Sequence, residues 1–417
     1  MSGIPMLSVG ELEQRGEASL QTGPFGTQLK ASEYTAEGTP VINVRNIGFG
    51  DLRKADLEYL PEGKAAKLWQ HHLKSGDIVF GRKGAVERHA LIDADSDGWI
   101  QGSDCLRLRI ASKTVSEKYL SYYLRTAAHQ DWMQALCSFG ATMNSLNQDI
   151  LRRLTFPAPA LATQQKIAAI LSTYDDLIAN NQRRVTLLER MAEDIYREWF
   201  VRLRFPGHEN VKVEKGVPQG WNAVCFSAVC TFEKGRNPTE LFPAQVDGSL
   251  PYLNVETLEK SGGTFAMRAK NAIVCAADDV LMLMDGARSG VVFRGASGIV
   301  SSTFALVRTE ARLKNVVFEY LKAGKDAIVS NNTGSAIPHA NKEFINRMMM
   351  FLPCDDALLE QFNKRYQSIF ELRQNIEEQI SSLKATRDSL LPRLISGKLS
   401  VDALDIRFPP GMLESDA

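Results

Sequence analysis

The sequence predicts an α+β protein made of two mixed α/β domains and two long coiled-coil helices, arranged as an internal repeat. The same motifs occur in the same order in both halves, apolar residues follow each half at heptad spacing, and 417 residues exceed one ordinary core. We predict a first mixed domain over 1–157, a first helix over 158–203, a second mixed domain over 204–353, a second helix over 354–398 and a tail over 399–417.

Short motifs recur in register in the two halves. The matched segments are 40–44 with 251–255, 77–80 with 279–284, 81–84 with 286–290, 140–147 with 334–341, and 156–157 with 352–353. Short apolar runs bounded by Gly-rich turns predict strands, and a short helix is expected over 116–135. Because several anchors keep their order, we expect both halves to share one fold.

The two long helices are predicted from apolar residues at every third or fourth position. This spacing is typical of a coiled-coil seam. Asn181 lies in the seam, where it would disfavour wrong registers, and Pro392 should kink or end the second helix. A first helix over 164–200 would be roughly 55 Å long, more than the roughly 34 Å of one DNA turn. The seam residues are Ile167, Leu171, Ile178, Asn181, Leu188 and Ile195, then Phe362, Ile369, Ile376, Leu383 and Leu390.

Composition excludes several classes of protein. Lys+Arg 49 balances Asp+Glu 49, so no global basic field is available to coat nucleic acid, although local basic loops remain possible. The 6 cysteines are scattered without zinc-site spacing and are expected to be reduced thiols. No signal pattern and no apolar run of about 20 residues are present, so we expect a cytoplasmic protein without membrane contact.

Catalytic motifs are missing from the sequence. It has no phosphate-binding loop, no dinucleotide fingerprint and no Asn-Pro-Pro-aromatic box of an adenine methyltransferase. The group Asp56, Glu62 and Lys64 is faintly similar to a nuclease metal site, but a solvated loop explains it better. The adjacent His71 and His72 cannot share one helix face as joint ligands. We therefore predict no catalytic residue and no metal ligand.

Polar residues in Gly-flanked loops are the candidates for binding DNA. Arg can donate two hydrogen bonds to guanine, and Arg or Lys can hold phosphate. Exposed loop cations without a partner, and ordinary turn chemistry, remain open as alternatives. The candidates are Gln28, Lys30, Arg82, Lys83, Arg88, Asn144 and Ser145 in the first half, and Arg236, Asn237, Arg288, Arg294, Ser335 and His339 in the second. The repeat predicts that Arg288 and Arg294 occupy the place of the Arg82–Arg88 group.

Several longer motifs carry a family resemblance. These segments are 164–171, 180–182, 197–201, 204–207, 217–221 and 390–399, and Arg407-Phe408-Pro409 echoes Arg204-Phe205-Pro206. With them the chain resembles, over nearly its whole length, the specificity subunit of type I restriction–modification enzymes.

That resemblance implies an assembly on double-stranded DNA. Each mixed domain would be a target recognition domain for one half of a split site, and the two helices would pack antiparallel with pseudo-twofold symmetry and set the gap. Two modification subunits would methylate adenine with S-adenosylmethionine. Two restriction subunits, if present, would use ATP and Mg²⁺, and this chain would bind none of these cofactors. Recognition domains of the family diverge, so the DNA contacts rest on loop position alone.

Two other classes of function stay open from the residues. A self-contained nuclease or methyltransferase would modify DNA when purified alone with a metal or S-adenosylmethionine. A coiled-coil adaptor for proteins would show no sequence-dependent DNA affinity even with its partner present.

Overall fold

The computed structural model describes residues 4–137, 145–259, 263–334 and 336–409. Within these residues, no helix has the length and the apolar character needed to cross a bilayer.

The chain divides into two compact units that are discontinuous in sequence. Unit 1 comprises Met1–Asn181 and Glu378–Ala417, and unit 2 comprises Gln182–Glu377. Each unit therefore contains one mixed domain, here called domain 1 or domain 2, together with a stretch of each long helix.

Domain 1 is built from short strands and short helices. Its strands are β1 (Met6–Ser8), β2 (Ala18–Thr22), β3 (Thr39–Ile42), β4 (Phe49–Gly50), β5 (Glu58–Leu60), β6 (Ile78–Gly81), β7 (His89–Leu91), β8 (Ile100–Gln101), β9 (Cys105–Ile110) and β10 (Thr155–Pro157). Its helices are α1 (Val9–Gln14), α2 (Glu62–Lys67), α3 (Glu117–Leu124), α4 (Ala127–Cys137) and α5 (Gln148–Arg152). The strands form sheets in the orders β2-β9-β6-β7-β4, β5-β3-β8 and β1-β10. The long helix α6 (Leu161–Tyr196) follows, and a π-helical turn over Arg197–Val201 ends it.

Domain 2 has the same kind of elements. Its strands are β11 (Val213–Glu214), β12 (Val217–Pro218), β13 (Trp221–Cys225), β14 (Thr231–Lys234), β15 (Ser249–Leu253), β16 (Phe265–Met267), β17 (Val274–Cys275), β18 (Val280–Leu283), β19 (Val292–Arg294), β20 (Gly298–Val300), β21 (Phe304–Arg308) and β22 (Met349–Pro353). Its helices are α7 (Phe226–Val229), α8 (Val255–Glu259), α9 (Lys314–Ala323), α10 (Lys325–Ser330) and α11 (Lys342–Arg347), and the long helix α12 (Asp356–Ile395) follows.

The two domains share one topology, which confirms the predicted internal repeat. The order β14-β21-β18-β19 repeats β2-β9-β6-β7, the order β16-β15-β20 repeats β5-β3-β8, and β13-β22 repeats β1-β10. The register is also kept, because Ile78 pairs with Leu108 as Val280 pairs with Val307. In both domains the third strand of the small sheet is parallel to its neighbour.

The central strand of each domain is buried on both faces. In β6, Ile78 and Phe80 pack in the core that contains α3 and α6, whereas Val79 packs on the other face with Ile42 and Ala90. Successive side chains of a strand point to opposite faces. An uninterrupted apolar run is therefore needed here, and β18 divides its side chains between two cores in the same way.

The long helices run antiparallel within each unit, as predicted. In unit 1, Lys166 Nζ donates to the Asp402 carbonyl at 2.8 Å, and Arg387 Nη1 donates to Asp175 Oδ1 at 2.6 Å. In unit 2, Arg373 Nη1 donates to Glu189 Oε1 at 3.3 Å, and the Trp199 and Phe362 ring centroids lie 5.8 Å apart. Later residues of α6 thus meet earlier residues of the second helix in both units.

The seam residues are the inward-facing part of these helices. Ile195, Ile369, Leu383 and Leu390 are half-buried, and the other seam residues, including Asn181, are buried. Asn181 has polar contacts, so its amide is not left without a partner.

Asp175 is the polar centre of the helix pair in unit 1. Its carboxylate accepts hydrogen bonds from the Tyr122 hydroxyl at 2.8 Å, Arg125 Nη1 at 2.8 Å and Arg387 Nη1 at 2.6 Å. Burial alone would raise the pKa of Asp175, but the two guanidinium groups and the hydroxyl outweigh burial and hold that pKa below its ordinary value. One carboxylate therefore joins α3 of the domain to both long helices.

One local expectation differs from the structure. The helix expected over 116–135 is two helices, α3 and α4, broken at Arg125 and Thr126, where the Thr126 hydroxyl donates to the Tyr123 carbonyl at 2.7 Å. The second long helix continues three residues past Pro392 and ends at Ile395.

His129 predicts a loss of stability in acid. It is 1% exposed, and neither ring nitrogen has a hydrogen-bond partner among the described residues. Burial lowers its pKa to about 4. The unfolded chain therefore binds more protons between roughly pH 4 and pH 6.5, and the free energy of unfolding should fall as the pH falls through this window, by at most about 3 kcal/mol for this group.

We expect His129→Phe to reduce this pH dependence, measured as the urea midpoint at pH 7 and at pH 5. The buried His89, whose pKa burial also lowers, should keep part of the acid sensitivity. An equal pH dependence in the variant and the parent protein would contradict the assignment.

Candidate nucleic-acid interface

Strand ends and loops of domain 1 converge on one group of polar side chains. Gln148 Nε2 donates to Thr22 Oγ1 at 3.0 Å, joining the start of α5 to the end of β2. Lys83 Nζ lies 3.2 Å from Asp104 Oδ1, and the Lys83 backbone forms an antiparallel bridge with Ser145. We call Thr22, Lys83, Asp104, Ser145 and Gln148 the rim of domain 1.

Domain 2 has a rim at the matching place, with different chemistry. Asp285 accepts from Lys234 Nζ at 3.1 Å and has His339 Nδ1 at 2.7 Å, and its backbone forms an antiparallel bridge with His339. Burial would raise the pKa of Asp285, but His339 and Lys234 outweigh burial and lower that pKa. We call Lys234, Asp285 and His339 the rim of domain 2.

The backbone bridges fix how the two rims correspond. Lys83 bridges Ser145 as Asp285 bridges His339, so Lys83 occupies the position of Asp285. Gly84 then matches Gly286, and both have positive φ, 77° and 103°, where other residues would be strained. The match of segments 81–84 and 286–290 predicted from the sequence was therefore out of register.

Arg82 and Arg88 flank the rim of domain 1. Both side chains are half-buried, and neither guanidinium has a hydrogen bond or ion pair among the described residues. The Arg88 guanidinium lies over the Phe49 ring, 5.2 Å from its centroid. Half-buried cations without a protein anion are suited to an external one.

The other candidates of domain 1 lie on the loop that follows β2. Gln28 and Lys30 are exposed there. Asn144 lies outside the described residues, as does Ser335 of domain 2.

Candidates of domain 2 are more often engaged. Asn237 Oδ1 accepts from the Tyr252 hydroxyl at 2.7 Å, and Arg288 Nη2 donates to Glu259 Oε1 at 2.6 Å. Arg236 is exposed on the loop after β14.

Arg294 lies in a different place from the one expected. It pairs across the sheet with Val280 as Leu91 pairs with Ile78, so it corresponds to Leu91 and not to the Arg82–Arg88 group. Its guanidinium lies 4.0 Å from the Phe318 ring centroid and donates to the Tyr366 hydroxyl at 2.9 Å. The structure thus places Arg294 between its domain and α12, within unit 2.

Two glycines position the loops beside the rims. A Cβ on Gly23 would lie 1.9 Å from the Gly102 carbonyl oxygen, and one on Gly235 would lie 2.2 Å from the Ser301 carbonyl oxygen. Only glycine allows backbones to approach so closely. The chain therefore leaves β2 and β14 in the same direction.

Comparison with known proteins agrees with this architecture. Residues 27–190 match the family described as type I restriction modification DNA specificity domain. The chain is 26% identical over 310 residues to the type I restriction enzyme MjaIX specificity subunit of Methanocaldococcus jannaschii, covering 70% of this chain and 71% of that protein. It is 22% identical over 385 residues to the putative MjaX specificity subunit of the same organism, covering 87% and 88%.

Over most of its length the chain is thus similar to type I specificity subunits. The crystal structure of an S subunit from M. genitalium has the same fold, with a TM-score of 0.57 at 14% identity over 94% of this chain and 96% of that one. These relatives are named specificity subunits, which are non-catalytic, and the catalytic activities of their systems reside in other subunits.

Two of the weaker candidates have ordinary structural partners, and a third is buried. Lys64 Nζ lies 2.7 Å from Glu33 Oε1, His72 Nε2 lies 3.0 Å from the Ala65 carbonyl, and His71 is buried. Among the described residues, no group of three or more His, Cys, Asp or Glu side chains could hold a metal ion.

Sequence reasoning missed several rim residues. Asp104, Gln148, Lys234 and Asp285 belong to the rims, yet no motif marks them. Thr22 and Lys234 directly precede Gly23 and Gly235, and an alignment of the halves on those two glycines would have found them.

Gly23→Ala should displace the loop after β2, because the new Cβ meets backbone and not a flexible side chain. We expect a loss of about 1–3 kcal/mol in the free energy of unfolding, measured by urea denaturation. Gly63→Ala is the matched control, since Gly63 is helical and its Cβ would meet nothing within 4 Å. Equal stability of the two variants would contradict the close approach.

Proposed function

We propose that this chain acts as a specificity subunit that recognises a bipartite DNA site, with each domain recognising one half through its rim and the adjoining loops. The observation that carries the proposal is one topology used twice with different side chains on its rims. A shared fold supplies a common way of approaching DNA, while base edges are distinguished by donors and acceptors. The two half-sites should therefore differ in sequence.

In domain 1, Arg82 and Arg88 are the foremost proposed DNA contacts, because neither guanidinium forms an ion pair with a carboxylate among the described residues. Lys83 is neutralised in part by Asp104, and it would have to exchange that partner for DNA. In domain 2, Arg236 and His339 take the corresponding role. His339 already lies against Asp285, so a base would meet a preformed donor–acceptor pair.

The long helices are the proposed spacer between half-sites. The 36 residues of α6 correspond to about 54 Å at 1.5 Å per residue. An antiparallel partner with a buried seam resists bending and sliding, because a one-residue slip would expose apolar side chains. The gap between half-sites would then follow from helix length.

The outward faces of the helices are the proposed docking surface for two modification subunits. Leu187 and Met191 of α6, four residues apart on one face, and Leu372 of α12 are exposed within unit 2, and Leu177 is exposed within unit 1. Exposed apolar side chains grouped in this way mark protein–protein contacts.

The modification subunits would take the target adenine out of the base stack and methylate it with S-adenosylmethionine. Restriction subunits, where they join, would use ATP and Mg²⁺. Catalysis would require no cofactor bound by this chain.

The test of the spacer is a matched deletion in both helices. Removing 178–184 from α6 and 378–384 from α12 takes one heptad out of each helix and leaves the apolar spacing of both in phase. The gap between half-sites should shorten by about 3 base pairs, because seven residues span about 10.5 Å of helix. Mapping methylated adenines in DNA treated with the complete assembly measures the gap.

Insertion of seven residues at the same two points is the control and should lengthen the gap equally. Half-site sequences should stay unchanged in both variants. An unchanged gap in both variants would refute the role of the helices as a spacer. Methylation without a bipartite recognition sequence would refute the whole proposal.

Arg82→Ala should weaken binding to cognate DNA by about tenfold if the guanidinium contacts a base, and relax specificity at one position of one half-site. Loss of a phosphate contact would instead weaken binding uniformly and lower the salt dependence of binding by about one charge. Arg312→Ala, which removes a cation of domain 2 paired with Glu310 and Asp356, is the control. No change in affinity or specificity would exclude Arg82 from the interface.

A further inference from the structure

Phe25 is a large apolar side chain exposed beside the rim of domain 1. Its exposed fraction is 66%. It lies two residues after Gly23, and Gly23 lies against Gly102 and Ser103, next to the rim residue Asp104. The residue before Gly23 is Thr22, also a rim residue. The ring is therefore presented at the proposed DNA interface, on the loop whose direction Gly23 fixes.

The turn that carries Phe25 is restrained on both sides. Pro24 is buried, and its ring fixes its own φ and limits the preceding residue. Gly26 has a φ of 64°, and the Gln28 amide donates to the Phe25 carbonyl at 3.3 Å. Restraint of this kind lowers the conformational entropy lost on binding. Exposure of this ring to water is unfavourable, and the exposed ring has no packing role in domain 1.

Domain 2 presents an apolar side chain beside its rim from a different loop. Gly235 matches Gly23, so the counterpart of Phe25 is the polar Asn237. Instead, Ile337 is 59% exposed and lies two residues before the rim residue His339. The Pro338 carbonyl that follows it accepts from the Gly286 amide at 2.9 Å, beside Asp285. Each domain thus combines a polar rim with one exposed apolar group.

We propose that Phe25 is a wedge that enters the base stack of the first half-site, and that Ile337 does the same at the second. Apolar side chains inserted between base steps partly unstack and kink a duplex. Burial between bases would remove each side chain from water, which the polar rim cannot do. A loosened stack beside the target would also lower the cost of taking out the adenine. This inference rests on the proposed function.

The experiment uses the complete assembly with its modification subunits and duplexes that carry 2-aminopurine at single positions of one half-site, away from the methylated adenine. Unstacking raises the fluorescence of this base. Binding of the parent assembly should raise the signal at one step of the first half-site. Phe25→Ala should abolish most of that rise and weaken binding about tenfold, as loss of one base–aromatic contact does. Phe25→Leu should restore part of both.

Ile337→Ala is the matched variant for the second half-site. It should leave the signal in the first half-site unchanged and reduce the signal in the second, and Phe25→Ala should do the reverse. Trp69→Ala, which removes another exposed aromatic side chain of domain 1, should change neither signal.

The two proposals fail differently. Specific binding by the parent assembly without any fluorescence rise, or a rise that survives Phe25→Ala, overturns the wedge and leaves bipartite recognition standing. Absence of sequence-specific binding by the parent assembly overturns the proposed function. A global unfolding defect in Phe25→Ala would show as a lower melting temperature, and Phe25→Leu then decides the question at retained fold.

Discussion

Each domain packs its core against both long helices, and the rest of the structure depends on this packing. In unit 1, Tyr119 of α3, Leu171 of α6 and Leu394 of α12 belong to one buried core. In unit 2, the Phe200 and Phe362 rings meet edge to face at 4.9 Å in the core that also buries β18. Neither domain could bury its core alone, so the helix pair is as much part of each domain as its sheet. The domains and the long helices are consequently joined through apolar packing.

The two repeats keep this geometry but use different side chains where the domain meets the long helix. The hydroxyls of Tyr123 and Tyr320 donate to equivalent carbonyls of β10 and β22, so the preceding residues, Tyr122 and Glu319, correspond. Tyr122 donates to the Asp175 carboxylate on the long helix, whereas Glu319 accepts from the Tyr366 hydroxyl at 2.7 Å. Burial raises the pKa of Glu319 despite that hydrogen bond. Donor and acceptor have changed sides between domain and helix, so the junction keeps a hydrogen bond between domain and helix while its chemistry changes.

The sequence predicted those parts of the fold that depend on local periodicity and on order along the chain. Heptad spacing located both helices, because a buried seam must repeat with the helix, and the repeated anchors predicted the shared topology. The break between α3 and α4 and the place of Arg294 were missed, since both depend on tertiary contacts. The rims were missed for the same reason, because Thr22 and Gln148 are brought together across 126 residues of sequence. No local sequence pattern marks such pairs, which come together only in the folded domain.

A chain with equal numbers of acidic and basic side chains can still bind DNA. Charges that are paired with an opposite charge produce little electrostatic potential at distances of a Debye length or more in physiological salt. Arg308 is matched by Glu233, Lys314 by Asp278, and Arg109 by Asp77. The cations that remain unmatched in the described part of domain 1 include Arg82 and Arg88, and these lie beside its rim. Affinity would then come from a few oriented guanidinium groups. The DNA sequence would be recognised by the polar side chains of the rims and by the ease with which the duplex deforms around an apolar wedge.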